Sequence, residues 1–395
     1  MSDPVSDARL AARRRRSQGI TADFDGARLA LARRLARLPR AQLARDVKVS
    51  PAAVTQFERG TSHPTAPVAA ALALRLGVPE NFFQHGHQRS GLTGAAAHFR
   101  SLRATPTLSR DQALAFAELV MDVVAAVEQY VDLPALDLPD VGDAGPDTTR
   151  AEIAAAAARA HAAWEMPNGP IGHVVRLLEA HGTVVLALPD HLSGRDLDPG
   201  VDAFSISAAA RPLVLLSPLK NDKARSRFDA AHELGHLLLH QDADPGNRIV
   251  EAQAQTFAAE FLMPADQIID DLPRRLDWEQ LHAAKRRWGT SLKALIYRAR
   301  TLRVMSETAV RRANIALAQH GNPEAGPLGP PEQPTLLGRA VDLLAANGVS
   351  LNEIAAAARL PHTQIVDVVD AGSERRPRVD LQMAQHRIEN GTAGT

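Results

Sequence analysis

The chain of 395 residues has no cysteine, few aromatic residues (4%) and no long apolar run. Without cysteine there is no disulfide, no thiolate metal ligand and no thiol nucleophile, a composition that fits a reducing compartment. No run approaches the about 18 apolar residues of a membrane-spanning helix. The basic run Arg13–Arg16 is not followed by the apolar segment of a secretory signal. We therefore expect a cytoplasmic protein that does not bind a membrane.

Basic and acidic residues balance at 45 each, but they are unevenly distributed. Residues 1–85 hold 14 basic and 7 acidic side chains, whereas the remainder holds 31 and 38. A basic N-terminal part favours a polyanionic partner for that part alone, although four of its charges lie in one arginine run. The length allows two or three domains, each with its own core.

Polar, glycine-rich and proline-rich stretches divide the chain into successive parts. We expect a disordered basic tail (1–22), a compact helical domain (23–85), a linker and helical connector (86–149), a domain with a small sheet (150–304), and a helical C-terminal region (305–395) that contains a Pro/Gly-rich linker (320–334). Three extended runs predict the sheet. They are Thr183–Leu188, Val201–Ser207 and Pro212–Ser217.

The segment AQLARDVKVSPAAVTQFERG, residues 41–60, has the pattern of two short helices joined by a tight turn. Ala44 is small enough to let the helices approach closely, and Val47 and Val54 supply a buried wedge. Ser50 is an N-cap and is followed by proline at the first helical position. This order of residues predicts a helix-turn-helix.

These residues, with FERGTSHPT and LRLGVPENFF after them, resemble the XRE/Cro-type repressor family. The resemblance implies a homodimer that places a recognition helix in the major groove of double-stranded operator DNA. The candidate DNA-binding residues are Arg40, Ser50, Ala52, Ala53, Thr55, Gln56 and Arg59. Among the groove-facing positions Gln56 alone offers bidentate base readout, so modest specificity is expected. A protein-interaction module on the same scaffold is the alternative.

The pentapeptide HELGH, from His232 to His236, places two imidazoles one helical turn apart on one helix face. Neutral imidazoles are good zinc ligands, and Glu233 beside them is suited to take a proton from a metal-bound water. A pair of buried core histidines is the alternative. A zinc site needs a third protein ligand and leaves its fourth position for water.

The segment EAQAQTFAAEFLMP offers two third-ligand candidates, Glu251 and Glu260. Glu251 begins a new helical pattern after a polar loop, so the chain can fold back and bring it against the middle of the HELGH helix. Glu260 lies near the far end of that pattern, and we expect it to be a solvated surface charge. His240, one turn beyond the pentapeptide, is expected outside the ligand set.

HELGHLLLH followed by E-x-x-A-x-x-F-A-A-x-x-L-M-P resembles the ImmA/IrrE family of zinc metallo-endopeptidases, over residues 150–304. The resemblance implies that His232, His236 and Glu251 hold Zn²⁺ and that Glu233 is the general base. It also implies a protein substrate, such as a repressor.

Three further residues are candidates for supporting roles around this site. Gln255 stands where the family commonly has asparagine, which alters the surroundings of the ligands but not the ligands themselves. Tyr297 and His282 are candidate donors to an oxyanion.

Three short helical patterns close the chain, Leu336–Ala346, Ser350–Ala358 and Pro361–Val369. Their spacing echoes the N-terminal unit. A second DNA reader and a helical packing cap are both compatible with it, and the cap is favoured.

The expected fold class is α+β and mostly helical. An all-α helix-turn-helix domain precedes a zincin-like domain with a small β-sheet and an HExxH helix, and a helical C-terminal region follows. The expected function is a DNA-binding regulator with a zinc endopeptidase domain. A transcription factor whose peptidase-like domain senses a ligand or partner without cleavage is the main alternative, and an antitoxin-like binding protein is another.

Overall fold

The computed structural model describes residues 23–84, 97–99, 106–189, 191–192, 195–196, 201–207, 211–217, 222–240, 247–321 and 324–374. The expected disordered tail, residues 1–22, and most of the linker after residue 85 lie outside these residues. No helix in the described ranges is both long and apolar enough to cross a membrane.

The N-terminal head, residues 23–84, is a bundle of short helices. They are α1 (Gly26–Leu35), α2 (Arg40–Asp46), α3 (Pro51–Glu58) and α4 (Ala66–Leu76), followed by a 3-10 turn (Glu80–Phe83). The predicted cap is present, since the Ser50 side chain accepts from the Ala53 N–H at 3.1 Å. Gly77 ends α4 in the left-handed conformation.

Helices and a small sheet form the middle of the chain. The helices are α5 (Thr107–Val127), α6 (Arg150–Ala163) and α7 (Val174–Ala180). The strands are β1 (Ala97–Phe99), β2 (Val184–Ala187), β3 (His191–Leu192), β4 (Arg195–Asp196), β5 (Phe204–Ile206) and β6 (Leu213–Leu216). The three predicted strands are β2, β5 and β6. The sequence patterns missed β1 and the β3–β4 pair, each only two or three residues long.

The main sheet has the order β1-β5-β6-β2, in which the β2–β6 pair is parallel and the others are antiparallel. It separates two apolar cores because neighbouring side chains of a strand point to opposite faces. Leu213 and Leu215 join the core that contains the head, whereas Val214 and Leu216 join the core of the helical body that follows the sheet. The sheet thus connects the two halves.

The body beyond the sheet is helical. Its helices are α8 (Lys223–Leu239), α9 (Arg248–Leu262), α10 (Ala265–Ile268), α11 (Trp278–Trp288), α12 (Leu292–Thr301) and α13 (Glu307–His320). The C-terminal unit, residues 336–372, follows. It consists of α14 (Leu336–Ala346), α15 (Leu351–Ala358) and α16 (His362–Ala371). The predicted bounds of these last three helices agree with the structure to within two residues.

Helix α5, predicted within a connector, is part of the core of the head. Arg28 pairs with Asp122 at 2.5 Å, and the Gln112 side chain donates to the Leu35 carbonyl at 3.0 Å. Burial raises the pKa of Asp122, and Arg28 opposes that change. Two charges would not be buried here without each other, so the head is locked to α5.

The Pro/Gly-rich stretch predicted as a linker forms no helix or strand at 324–335, but it is held against the body by two glutamates. Glu332 accepts from the Val174 N–H at 2.7 Å and forms a buried ion pair with Arg227 of α8. Glu324 pairs with Lys285 at 3.1 Å and accepts from the first N–H of α12. Each carboxylate occupies a helix N-terminus, where negative charge is favoured.

Candidate metal centre and nucleic-acid interface

Helix α8 places His232 and His236 on one buried face, each about 1% exposed. Their Nε2 atoms are 3.1 Å apart. The spacing of four residues is responsible, because one turn of helix stacks the two side chains. Neither imidazole is surrounded by apolar side chains alone, since each lies beside the other.

Helix α9 packs on α8 and brings Glu251 to the two histidines. Its carboxylate oxygens lie 3.3 Å from the Nε2 atom of His232 and 3.7 Å from that of His236. Gly235 allows this approach, since a Cβ atom there would stand 3.1 Å from the Phe257 ring. The first turn of α9 thus lies where the sequence placed it, and Glu251 rather than Glu260 meets the histidines.

The three side chains fit a divalent cation. Their ligand atoms lie within 4.8 Å of one another, and within the described residues they form the one such cluster. Both oxygens of Glu251 lack a hydrogen-bond partner in that part of the chain, although the side chain is 18% exposed. Carboxylate oxygens that accept no hydrogen bond keep their lone pairs available for a cation.

The charge state of Glu251 agrees with this interpretation. Burial by itself would raise the pKa of its carboxyl group. The adjacent imidazoles of His232 and His236 outweigh burial and hold that pKa well below its ordinary value. Glu251 is therefore ionised at neutral pH, as a metal ligand must be.

Glu233 is held by a residue that the motif did not point to. The Ser205 hydroxyl, on β5, donates to Glu233 Oε2 at 2.7 Å, and both residues are buried. Phe204 and Ile206 face the opposite core, so the alternation of the strand directs Ser205 towards α8. In the sequence, the alternation of Phe204, Ser205 and Ile206 was the signal that sets Ser205 apart from its two neighbours. Its partner Glu233 could be identified only together with the order of the sheet.

A chain of hydrogen bonds behind His236 sets its tautomer. The Gln253 amide N–H donates to the Gly145 carbonyl at 2.7 Å, so the amide oxygen accepts from His240 Nε2 at 3.0 Å. Burial, assisted by His236, lowers the pKa of His240 to about 4. A neutral His240 with its proton on Nε2 offers Nδ1 as an acceptor to His236 Nδ1, 3.2 Å away. His236 Nε2 is then left with a lone pair directed at the metal position.

The expectation that Glu260 is a solvated surface charge was wrong. Glu260 is 7% exposed, and both of its oxygens accept from the fully buried guanidinium of Arg298. Arg298 also donates to the Met263 carbonyl at 2.9 Å. Glu260 thereby ties the end of α9 to α12, a pairing across 38 residues that no local pattern reveals.

The contacts that the structure gives for the two oxyanion candidates are with groups outside the metal cluster. The ring of Tyr297 lies 5.9 Å from the guanidinium of Arg150, which is itself 3.6 Å from Glu260. Glu260 is nine residues after Glu251, about 14 Å along the helix. His282 packs against Gly326, on the side of the body that carries residues 324–335. Gln255, half-buried, lies one turn beyond Glu251.

The proposed DNA face of the head lies on α2 and α3. Ala52, Gln56 and Arg59 are exposed, whereas Ala53 and Thr55 are half-buried. The Thr55 hydroxyl donates back to the Pro51 carbonyl at 3.0 Å, and Ser50 is occupied as the cap described above. Gln56 of α3 and Arg59, which caps its C-terminus, therefore present long polar side chains to solvent.

Arg40, expected at phosphate, is paired within the head. It contacts Glu58 at 2.5 Å while remaining 52% exposed, and Arg33 meets the other oxygen of the same carboxylate. Glu58 thus fixes the start of α2 against the end of α3. The guanidinium of Arg40 is held at the edge of the exposed face.

Two family models match the chain. Residues 26–82 match a helix-turn-helix domain, and residues 178–300 match an IrrE N-terminal-like domain. This chain joins a helix-turn-helix domain to an IrrE-like domain. The resemblances seen in the sequence are confirmed over both stretches. No curated protein matches the chain.

The matched ranges contain the sites described above. The helix-turn-helix match includes all of α1 to α4, which supports DNA binding by the head. The IrrE-like match begins in α7 and ends in α12, so it includes the sheet strands from β2 onwards, HELGH, Glu251 and Ser205. The IrrE-like domain is of a metallopeptidase type that generally depends on zinc, and the His-His-Glu cluster lies within it.

Proposed function

We propose that the chain is a DNA-binding regulator whose IrrE-like domain is a zinc endopeptidase that cleaves a regulatory protein such as a repressor. The single observation that carries the enzymatic part is the buried carboxylate of Glu251, which faces two imidazoles and has no hydrogen-bond partner among the described residues. The head matched as a helix-turn-helix domain carries the regulatory part.

In this proposal His232, His236 and Glu251 hold the metal. A zinc ion there would supply Lewis acidity, polarising the scissile carbonyl and making water a stronger acid. Glu233 takes a proton from the attacking water and later delivers it to the leaving amine. Ser205 keeps the Glu233 carboxylate in one orientation through its 2.7 Å hydrogen bond. The Gly145–Gln253–His240 chain keeps the donor nitrogen of His236 unprotonated.

For the head, we propose that α3 enters the major groove with Ala52, Gln56 and Arg59 nearest to the bases. Arg40 meets phosphate, and Ala53, Thr55 and Ser50 lie at the rim of that contact. We propose a homodimer on its operator, since paired half-sites are the usual target of such domains. Sedimentation of the chain with and without operator DNA tests the dimer.

The decisive experiment compares the zinc-loaded wild type with Glu233→Gln. The variant keeps all three metal ligands, so it should retain zinc, capture its substrate from a lysate and leave it uncut, while the wild type cuts it. Glu279→Gln, on the exposed side of α11, is the matched control and should cleave normally.

Two results contradict the proposal. Cleavage by Glu233→Gln at the wild-type rate would remove Glu233 from the reaction. Regulation in the cell that is unchanged by Glu233→Gln would favour the alternative, a non-proteolytic factor whose IrrE-like domain senses a partner.

A further inference from the structure

The C-terminal unit repeats the geometry of the head with a constant offset of 311 positions. Helix α2 begins at Arg40 and α15 at Leu351, and α3 begins at Pro51 and α16 at His362. Four residues separate the first helix from the second in both units. The same three-helix arrangement therefore occurs twice in the chain.

The tight turn before the third helix is the most specific part of the repeat. Lys48 in the head and Arg359 in the C-terminal unit both adopt the left-handed conformation, with φ of 58° and 51°. In each unit the next residue donates its N–H to a carbonyl five residues earlier, at 3.0 Å. Such a conformation is uncommon for residues other than glycine, so its recurrence at equivalent positions indicates the same motif.

The cores of the two units also correspond. Leu43 and Val54 of the head are fully buried, as are Ile354 and Ile365 at the equivalent positions of the C-terminal unit. These pairs hold the second helix against the third. The C-terminal unit is thus a helix-turn-helix in backbone, turn and core.

The charge of the two units is opposite. Residues 26–60 contain eight basic and two acidic side chains, whereas the equivalent residues 337–371 contain two basic and four acidic. At the exposed position where the head has Arg59, the C-terminal unit has Asp370, which is also exposed. Affinity for DNA rests on neutralising phosphate, so this surface is unsuited to it.

The C-terminal unit is also turned towards the head. A groove of about 580 Å³ is lined on one side by Asn352 and His362, in the first turns of α15 and α16. Pro79 and Asn81 of the head line the other side. The starts of α15 and α16 therefore lie beside the head and share this groove with it.

Both units pack on α5. Helix α1 of the head contacts it, as do α14, α15 and α16 of the C-terminal unit. The buried side chains of the head, α5 and the C-terminal unit belong to one continuous apolar core. A change of packing in one unit can therefore be transmitted to the other through α5.

We propose that residues 336–372 are a second helix-turn-helix unit whose partner is the chain's own head: it braces α5 and the head, and it does not read DNA. The observations that carry this are the repeat at constant offset, the inverted charge and the groove facing the head. The proposal is independent of the peptidase activity.

Matched substitutions at equivalent positions of the full chain test the DNA part. Binding to a short mixed-sequence duplex is followed by fluorescence anisotropy over a range of salt concentrations. Ala52→Trp should abolish binding, and Arg59→Asp should lower the slope of log affinity against log salt by about one. Thr363→Trp and Asp370→Arg should leave affinity and slope unchanged. Loss of binding in Thr363→Trp, or a changed slope in Asp370→Arg, would make the second unit a DNA reader.

Hydrogen exchange measured by mass spectrometry tests the brace. Ile354→Ala, which leaves a cavity in the second unit, should raise exchange in α14 to α16 and also in α5 and α1. Leu281→Ala, an equally buried substitution in the other core, should raise exchange in the body and leave α1 unchanged. Ile354→Val provides a milder change if the alanine variant fails to fold. Faster exchange confined to α14–α16 would overturn the brace.

Discussion

Helix α9 has a glutamate with a buried carboxylate at each end, and the two are used in opposite ways. Glu251, at the beginning, faces two imidazoles, and neither of its oxygens has a hydrogen-bond partner among the described residues. Glu260, at the far end, is fully matched by the guanidinium of Arg298. One end of the helix is a candidate metal site and the other is a structural joint.

The difference lies in the partner rather than in the residue. A buried carboxylate whose oxygens are satisfied by arginine stabilises only that arrangement, and removing either partner leaves an isolated charge. A carboxylate that accepts no hydrogen bond keeps its lone pairs available for a cation. Burial therefore does not distinguish a ligand from a structural ion pair, but the accounting of hydrogen-bond partners does.

The largest expected effect is on the structural end of α9. Glu260→Gln should lower the free energy of unfolding by about 3–5 kcal/mol, because Arg298 is left charged and without its counter-ion. The folded fraction of this variant should bind zinc with unchanged stoichiometry. Denaturant unfolding and metal analysis measure the two quantities. A variant of wild-type stability would mean that the two ends of α9 do not differ in this way.

The reverse behaviour is expected at the other end. Glu251→Gln should weaken zinc binding by at least about a hundredfold, because a three-ligand site loses its only anionic ligand. The metal-free variant should be less stable than the metal-free wild type at neutral pH, but by less than Glu260→Gln, since the neutral amide loses the attraction of the two imidazoles that holds the pKa of Glu251 down. Chelator competition and unfolding of the metal-free protein test both parts. Zinc binding that survives Glu251→Gln but not Glu260→Gln would reverse the two roles.

A smaller effect is expected from the residues behind the ligands. Gln253→Leu should weaken zinc binding by about 10- to 100-fold without changing the zinc stoichiometry. Without the Gln253 amide, His240 is no longer held in place and no longer fixes the tautomer of His236. Gln280→Leu, at a half-buried position on α11, is the control. Equal affinity in the two variants would show that the chain of hydrogen bonds does not reach the ligand.

The smallest effect is a pH dependence of stability near the same end. The folded-state pKa of His240 is about 4, below the ordinary 6.5, so the unfolded chain binds a proton that the folded chain does not. Stability of the metal-free protein should therefore fall by about 1–2 kcal/mol as pH drops from about 6.5 to about 5. In His240→Gln the free energy of unfolding should depend less on pH above pH 5, where Glu251 does not yet titrate. An unchanged slope in His240→Gln would assign the effect elsewhere.

Several features of the molecule follow from short stretches of sequence. The spacing of His232 and His236 requires that they share a face once the stretch is helical. The Ser50-Pro51 pair marks the start of α3, because the cap and the missing N–H of proline suit that position alone. The three C-terminal helices were predicted from the same kind of local signals. Both motifs and the main strands could be predicted for this reason.

Other features depended on which distant elements pack together. Ser205 reaches Glu233 because β5 lies in the sheet beside α8, and Glu260 is buried because α12 brings Arg298 to it. No pattern within either stretch encodes these two contacts, since they join residues 28 and 38 positions apart.

The two helix-turn-helix units show most plainly which features depend on local sequence and which depend on tertiary packing. The amino-acid sequence by itself determined two sets of three helices with equivalent spacing, together with the charge that each set carries. The tertiary structure alone decided that the second set packs on α5 and faces the head. Helix formation depends on neighbours along the chain, whereas orientation depends on which apolar faces are buried against each other.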